Sequence, residues 1–338
     1  MKLFTTRRRL DSQEQPRLGL FTLVTFGIWV SLFGCAESKP AATWELAAQG
    51  FYATAFSADA QLAVVGSMNH GASLWRVADK ERLFNWSHET GEFTELVAAD
   101  FSPDGSRAVT TDPRTLVLWD TNAGTALNYW TTPGPVLDVA VLNDNRHVLM
   151  GLKDHSAVLF DAVSGDYQQT LLHQGEVGDV AVTPDGQLAL TGSDDYTAVL
   201  WRLNDGNNLH TFQHDNPVRA VAISKSGTYS FTAAQGDRVA IWNNSSGQML
   251  HELHNSVNHG AICAEFSADE RLLLVGYTTN KVILYDVSTG ASLRTWSAGT
   301  KHPLRATGAA ILKVAFGNQG NRFLAFTGDG RLVELRPS

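Results

Sequence analysis

Three places in the chain hold residue types that do chemistry. His251 and His254 in "HELH", with His259 a few residues on, offer imidazoles that zinc accepts. A metalloprotease pair needs two histidines four apart on one helical face. These stand three apart in a segment whose composition predicts a strand, where odd spacings send side chains to opposite faces. They read as strand and loop residues, and no metal is expected. Asp194 and Asp195 in "SDDY" are adjacent carboxylates of the kind used for acid–base work. Asp195 is better employed pinning a turn, with Asp194 as its solvated neighbour. The third place is Cys35, which ends an uncharged apolar run and is the candidate for covalent modification. No nucleophile elbow is present. No G-x-G-x-x-G opens a helix, so the glycines mark turns and neither a catalytic group nor a cofactor is expected.

These residues sit in a chain of 338 residues, 43% hydrophobic and 18% charged, which is enough to bury a large core. The formal net charge is −8, while the first 34 residues carry Lys2, Arg7, Arg8, Arg9 and Arg17 against only Asp11 and Glu14. The body downstream is therefore strongly acidic. Phosphate backbones are repelled by such a surface, which argues against nucleic acid as a partner. The cysteines are Cys35 and Cys263. If Cys35 is modified, no intramolecular disulfide remains and packing alone must hold the fold.

From Leu18 to Gly34 the sequence "LGLFTLVTFGIWVSLFG" is uncharged and follows a basic flank. A basic flank, a short apolar segment and small residues at its end make a secretory signal. "LFGC", Leu32 to Cys35, resembles the lipobox of bacterial lipoprotein signal peptides. That resemblance implies cleavage before Cys35, a diacylglycerol on its sulfur and acylation of the new N-terminus; two or three acyl chains would hold the body stably, where one alone binds only marginally. The alternative is an uncleaved single-pass helix. Either places the body outside the cytoplasm. Residues 1–34 are then the signal, 35–42 a lipidated cysteine with a short tether, and 43–338 the folded body. Ala36 lacks the acidic side chain that retains many enterobacterial lipoproteins at the inner membrane, so the outer membrane is favoured where two exist.

The body repeats. "SLWRV", "LVLWDTNAG", "AVLFDAVSG", "AVLWRLNDG", "VAIWNNSSG", "VILYDVSTG" and "RLVELRPS" align on Trp75, Trp119, Phe160, Trp201, Trp242, Tyr285 and Glu334 at a period near 41. Roughly 18 residues before each anchor an apolar residue meets turn formers, as in "FSPDG", "VTPDG" and "FSADE", which predicts a hairpin. A small apolar run such as "LALTGS" follows, then a turn carrying Asp154, Asp195, Asp237, Asn280 or Asp329, the anchor strand, and a fourth strand such as "LHTFQH". These features resemble the WD-repeat β-propellers over about Ala41 to Ser338. The resemblance implies an all-β, seven-bladed WD-repeat-like propeller. It also implies a hydrogen-bond network through Asp195 and Trp201, with His173 or Ser193 as a further member. Phe160, Tyr285, Glu334 and the disturbing Pro113 leave that network incomplete in most units.

The last unit lacks an outer strand, which would leave a long open edge. Trp44 lies ten residues before Thr54, much as Trp130 lies nine before Val139 and Phe212 nine before Val221. "TWELA", Thr43 to Ala47, is therefore expected to close the ring from the N-terminus.

A rigid ring with loops on two faces suits protein binding. The expectation is a noncatalytic, lipid-anchored protein-interaction scaffold of a bacterial cell envelope, its protein partner unidentified. "SAGTKHPLRAT", with Lys301, His302 and Arg305, is the candidate interaction loop. Trp86, Trp130 and Trp296 fit a role covering blade interfaces. The alternatives are an envelope enzyme or small-ligand propeller using the central channel, favoured by clustered carboxylates there, and an outer-membrane assembly factor.

Overall fold

The computed structural model describes residues 37–67, 71–88, 93–254, 260–301, 309–318 and 321–337. Cys35, His259, His302 and Arg305 lie outside them. Among the described residues twenty-eight strands form seven four-stranded antiparallel sheets. Blades 1 to 6 each use four consecutive strands, such as Val177–Val182, Leu188–Ser193, Thr197–Arg202 and Asn207–Gln213 in blade 4. Blade 7 joins Ile311–Phe316, Phe323–Thr327 and Arg331–Leu335 to the N-terminal strand Ala42–Glu45. The first strand of every blade is innermost, and that of blade 7 meets that of blade 1, so the propeller is a closed ring.

Local chemistry sets the hairpins. A Ser or Thr hydroxyl donates to an Asp two residues on in Ser57–Asp59, Ser102–Asp104, Thr183–Asp185 and Ser267–Asp269, at 2.6–2.7 Å. The same oxygen accepts an N–H from the far side of the turn, as from Leu62 onto Ser57 at 2.9 Å. Blade 5 has Ser226 where the Asp would stand. There Glu270 of blade 6 supplies the carboxylate, accepting from the Ser226 hydroxyl at 2.8 Å.

No single core fills the ring. The buried apolar side chains form seven clusters, one at each seam between neighbouring blades. Trp86 and Trp296 are fully buried at such seams, and with Trp130 they donate their indole N–H to a carbonyl of the next blade: Gly124, Arg336 and Ala162 respectively. Stability is thus distributed around the circle, and every seam needs both of its blades.

The closing strand pairs Ala42, Thr43, Trp44 and Glu45 with Glu334, Val333, Leu332 and Arg331. Its regular part is Ala42–Glu45, which starts one residue and ends two residues earlier than the expected Thr43–Ala47; Leu46 and Ala47 instead turn their N–H groups onto the Gly330 carbonyl at 2.9 and 3.1 Å. The segment read as a tether is not free. Ser38 forms a parallel bridge with Trp296 in the outer strand of blade 6, and Glu37 pairs with Lys281 at 2.5 Å.

The last anchor is also shifted. Trp201 faces Ala189, the residue that begins the second strand's pairing after the hairpin. The residue holding that register in blade 7 is Leu335, opposite Phe323, whereas Glu334 faces Leu324 and corresponds to Leu200.

Candidate functional site

Two sets of polar side chains are built into the ring. The first lies within the blades. In blade 4 the Trp201 indole donates to Thr191 Oγ1 at 2.8 Å, His173 Nε2 meets the same hydroxyl at 2.7 Å, and His173 Nδ1 meets Asp195 Oδ2 at 2.9 Å. Each donor finds an acceptor if Nδ1 carries the proton and Nε2 accepts from Thr191. Asp195 also accepts from the Gln174 and Thr197 N–H groups, so one carboxylate joins the loop from blade 3 to the turn of blade 4. Ser193 takes no part in this path; it bonds Gly175 O and the Asp195 N–H. Thr191 is the member that sequence reading missed.

Blades 2 and 5 repeat the arrangement through His88–Thr110–Trp119 and His214–Thr232–Trp242, with Asp112 and Asp237 beside the imidazoles at 3.4 and 3.6 Å. Pro113 does not break its turn, because Asp112 Oδ1 receives both the Arg114 and Thr115 N–H groups at 2.7 Å. Blade 6 substitutes a Tyr277–Tyr285 hydroxyl contact at 2.8 Å, and in blade 1 Trp75 bonds Ser73. Burial lowers the pKa of His88, His173 and His214, each against the pull of a nearby carboxylate, so these imidazoles are neutral at pH 7. Asp195→Ala should therefore cost about 2 kcal/mol, since it strands a buried imidazole N–H and two backbone donors. Denaturant unfolding measures this; a loss under about 0.5 kcal/mol would show that the network does not hold blade 4.

The second set faces the channel. Six of the inner strands carry a bulge near their start, and just beyond it in blades 3, 4, 6 and 7 stand Asp138, Asp179, Cys263 and Lys313. Asp100 and Glu265 occupy the position two residues further on, in blades 2 and 6. The aspartates stitch each blade to the next. Asp100 accepts the Val141 N–H at 2.8 Å, Asp138 that of Val180 at 2.9 Å and Asp179 that of Val221 at 2.5 Å, while Glu265 accepts from Phe316.

All four acids lie in the field of Lys313. Burial raises Asp100 to about 6 and Glu265 to about 7, with Lys313 pulling the other way. Asp138 and Asp179 are hydrogen-bonded to each other and both are raised, chiefly by burial. Such a bond needs a proton, which the two carboxylates share. Burial alone would lower Lys313, but Asp100, Asp138 and Asp179 outweigh it, so the ammonium stays charged. Cys263 is buried, its thiol donating to Ile311 O at 3.2 Å and pushed by burial up to about 12. Sequence reading passed over this cluster, although "LDVAV", "GDVAV" and "LKVAF" each place a charge at one register inside an otherwise apolar strand.

The other candidates are placed as follows. Lys301 donates to Glu45 Oε1 at 2.7 Å and to Ala48 O at 2.9 Å, which commits it to the closing segment. His251 bonds Ser288 O, and among the described residues no group of three or more His, Cys, Asp or Glu is arranged to hold a metal ion. Asp194 pairs with Arg219 at 2.7 Å.

No curated protein matches the chain. Residues 165–202 and 206–243 each match the family model for the WD domain, G-beta repeat. Both matches start at the outer strand of one blade and run through three strands of the next, the same offset by which Ala42–Glu45 belongs to blade 7 in space and to the first repeat in sequence. The chain is accordingly a seven-bladed β-propeller in which these two segments match the WD repeat.

Proposed function

We propose that the molecule is a noncatalytic protein-interaction scaffold held at the outside of a bacterial membrane by a lipid on Cys35, with the outer membrane favoured where two exist. The WD-repeat propeller supports protein binding in general: a ring of seven independently packed seams is stiff, and its loops present two faces to partners. The observation that carries the anchored reading is the lacing of Glu37 and Ser38 onto blade 6. Only Ala36 stands between Cys35 and Glu37, so the two residue steps reach about 7 Å. A lipid on Cys35 would hold the rim of blades 6 and 7 against the headgroups and leave the remaining blades free for a partner.

Cys35→Ala should abolish fatty-acyl labelling of the chain and release it from membranes after signal cleavage. Labelling that persists in the variant would refute the anchor. Cross-linking in native envelopes, comparing the wild type with a Lys301→Ala, His302→Ala, Arg305→Ala variant, tests the loop; equal partner recovery would remove it from the binding surface. A second reading, a small-ligand site in the channel, has the four carboxylates around Lys313 in its favour. It expects a soluble cationic ligand to protect the ring from unfolding, and no protein to be captured.

A further inference from the structure

The seam between blades 7 and 1 departs from the others. After the third strand of blades 2 to 6 the chain turns through Gly124, Gly165, Gly206, Gly247 and Gly290, all with φ between 66° and 84°. Each is pressed by the outer strand of the preceding blade: an added Cβ would stand 2.3 Å from Phe84, 2.5 Å from Trp130, 1.9 Å from Gln169, 2.4 Å from His210 and 2.8 Å from His251. In blade 1 the same turn position is Lys80, with φ 61°, a left-handed backbone that a β-carbon disfavours. The outer-strand register that Phe84, Gln169, His210 and His251 hold elsewhere is filled by Ala42. A small residue thus replaces a large one, and a long cation replaces glycine. The result is a cleft of about 540 Å³ lined by Trp44, Lys80, Arg322, Glu334 and Arg336.

The charges in this cleft do not balance. Glu334, almost fully buried, receives Arg322 Nε at 3.0 Å and Arg336 Nε at 2.8 Å, so one carboxylate serves two guanidiniums and spare N–H groups remain on both. Lys80 Nζ lies 3.8 Å from the Trp44 ring centre and bonds only a neutral acceptor, Ala78 O at 3.0 Å, among the described residues. The acids beside it, Asp79 and Glu81, are both engaged by Arg76 at 2.9 and 2.5 Å. Because one Arg76 serves both of those acids, the group of Lys80, Arg76, Arg322 and Arg336 against Asp79, Glu81 and Glu334 leaves one positive charge uncompensated in a concave, indole-walled site on a chain of net charge −8. Strained backbone that brings a functional group into a cleft is the pattern of a binding site, and paired guanidiniums with an ammonium suit a phosphate.

We propose that this cleft binds a phosphate group, with Lys80, Arg322 and Arg336 as donors and Trp44 as its apolar wall. The phosphate belongs to a phospholipid headgroup or to a soluble phosphomonoester. Only the lipid source rests on the Cys35 anchor; the cleft itself does not. The test is calorimetric titration of the full chain in nonionic detergent with inorganic phosphate, glycerol 1-phosphate, and micellar phosphatidylglycerol against phosphatidylcholine. Saturable binding of at least one phosphate-bearing anion is expected. Arg336→Gln and Lys80→Gly should each weaken it about tenfold, the effect of one charge-assisted hydrogen bond. Lys80→Gly restores the turn residue of five other blades, so its melting temperature should not fall and a folding defect cannot account for lost affinity. Phosphatidylglycerol binding without glycerol 1-phosphate binding assigns the lipid headgroup, and the converse assigns the soluble ester. Absence of saturable binding for all of these anions, or affinity unchanged in both variants, would overturn the proposal.

Discussion

A chain lacking residues 37–47 should lose about 4 kcal/mol of stability, melt about 10 °C lower and associate through blade 7. The deleted segment contributes the pairing of Ala42–Glu45 with Arg331–Leu335, the Leu46 and Ala47 bonds to Gly330, and the ion pairs of Glu37 with Lys281 and Glu45 with Lys301. It also covers Leu332 and Val333, which are essentially inaccessible in the closed ring, and half-buries Trp44. Because each seam is its own core, this loss is not shared out: the blade 7–blade 1 cluster opens and the circle becomes an arc. The exposed edge of Arg331–Leu335 then offers unpaired N–H and carbonyl groups to another chain. Thermal unfolding and size-exclusion chromatography measure the two effects. A peptide of residues 37–47 added in trans should restore the monomer by strand addition. A truncated chain that stays monomeric with an unchanged melting temperature would mean that the ring does not depend on its N-terminal closure.

The same closure was legible in the sequence, and the reasons separate what can be read from what cannot. Trp44 stands at the spacing of Trp130 and Phe212 because one repeat unit builds every seam, so a lone strand could be matched to its fellows by distance along the chain. Aromatic anchors are conspicuous for the same reason. Leu335 was misread as Glu334 because leucine on an apolar strand carries no mark of its own, and only the pairing with Phe323 reveals it. Thr191 was passed over for Ser193 since both are hydroxyls on one face of one strand; which of them reaches His173 depends on how far along the strand each stands, and that shows only in the fold. The channel cluster needs more still. Asp100, Asp138, Asp179, Glu265 and Lys313 belong to five separate blades, and nothing along the chain joins them until the inner strands converge. The cleft at the last seam depends on an absence, the small Ala42 opposite Lys80, which has meaning only against the packing of the other seams.

Raising the pH from about 4 to about 8 should weaken the channel's contribution to stability, and Asp100→Asn with Glu265→Gln should remove the part of that loss that these two acids carry, leaving the part that belongs to Asp138 and Asp179. Asp100 and Glu265 have folded pKa values of about 6 and about 7, above their unfolded values. A group raised on folding stabilises fully below its unfolded pKa and loses that contribution as pH climbs through the folded one. Each shift is worth about 3 kcal/mol at most, and water in the channel reduces it, so the pair should contribute about 3 kcal/mol together between acid and pH 8. The three imidazoles act in the opposite sense. Their pKa values are lowered by burial, so their contribution is complete above about 6.5 and declines as pH falls toward the folded values. The wild-type profile is therefore a dome whose alkaline slope belongs to the channel and whose acid slope belongs in part to the histidines. The amide substitutions keep an oxygen for the Val141 and Phe316 N–H groups while abolishing the titration. They should make the alkaline slope shallower, the remainder belonging to Asp138 and Asp179, and leave the acid slope in place. Urea unfolding at intervals from pH 4 to pH 8 resolves the two. If the double variant follows the wild-type curve throughout, Asp100 and Glu265 are ordinary solvated acids and neither takes up a proton on folding.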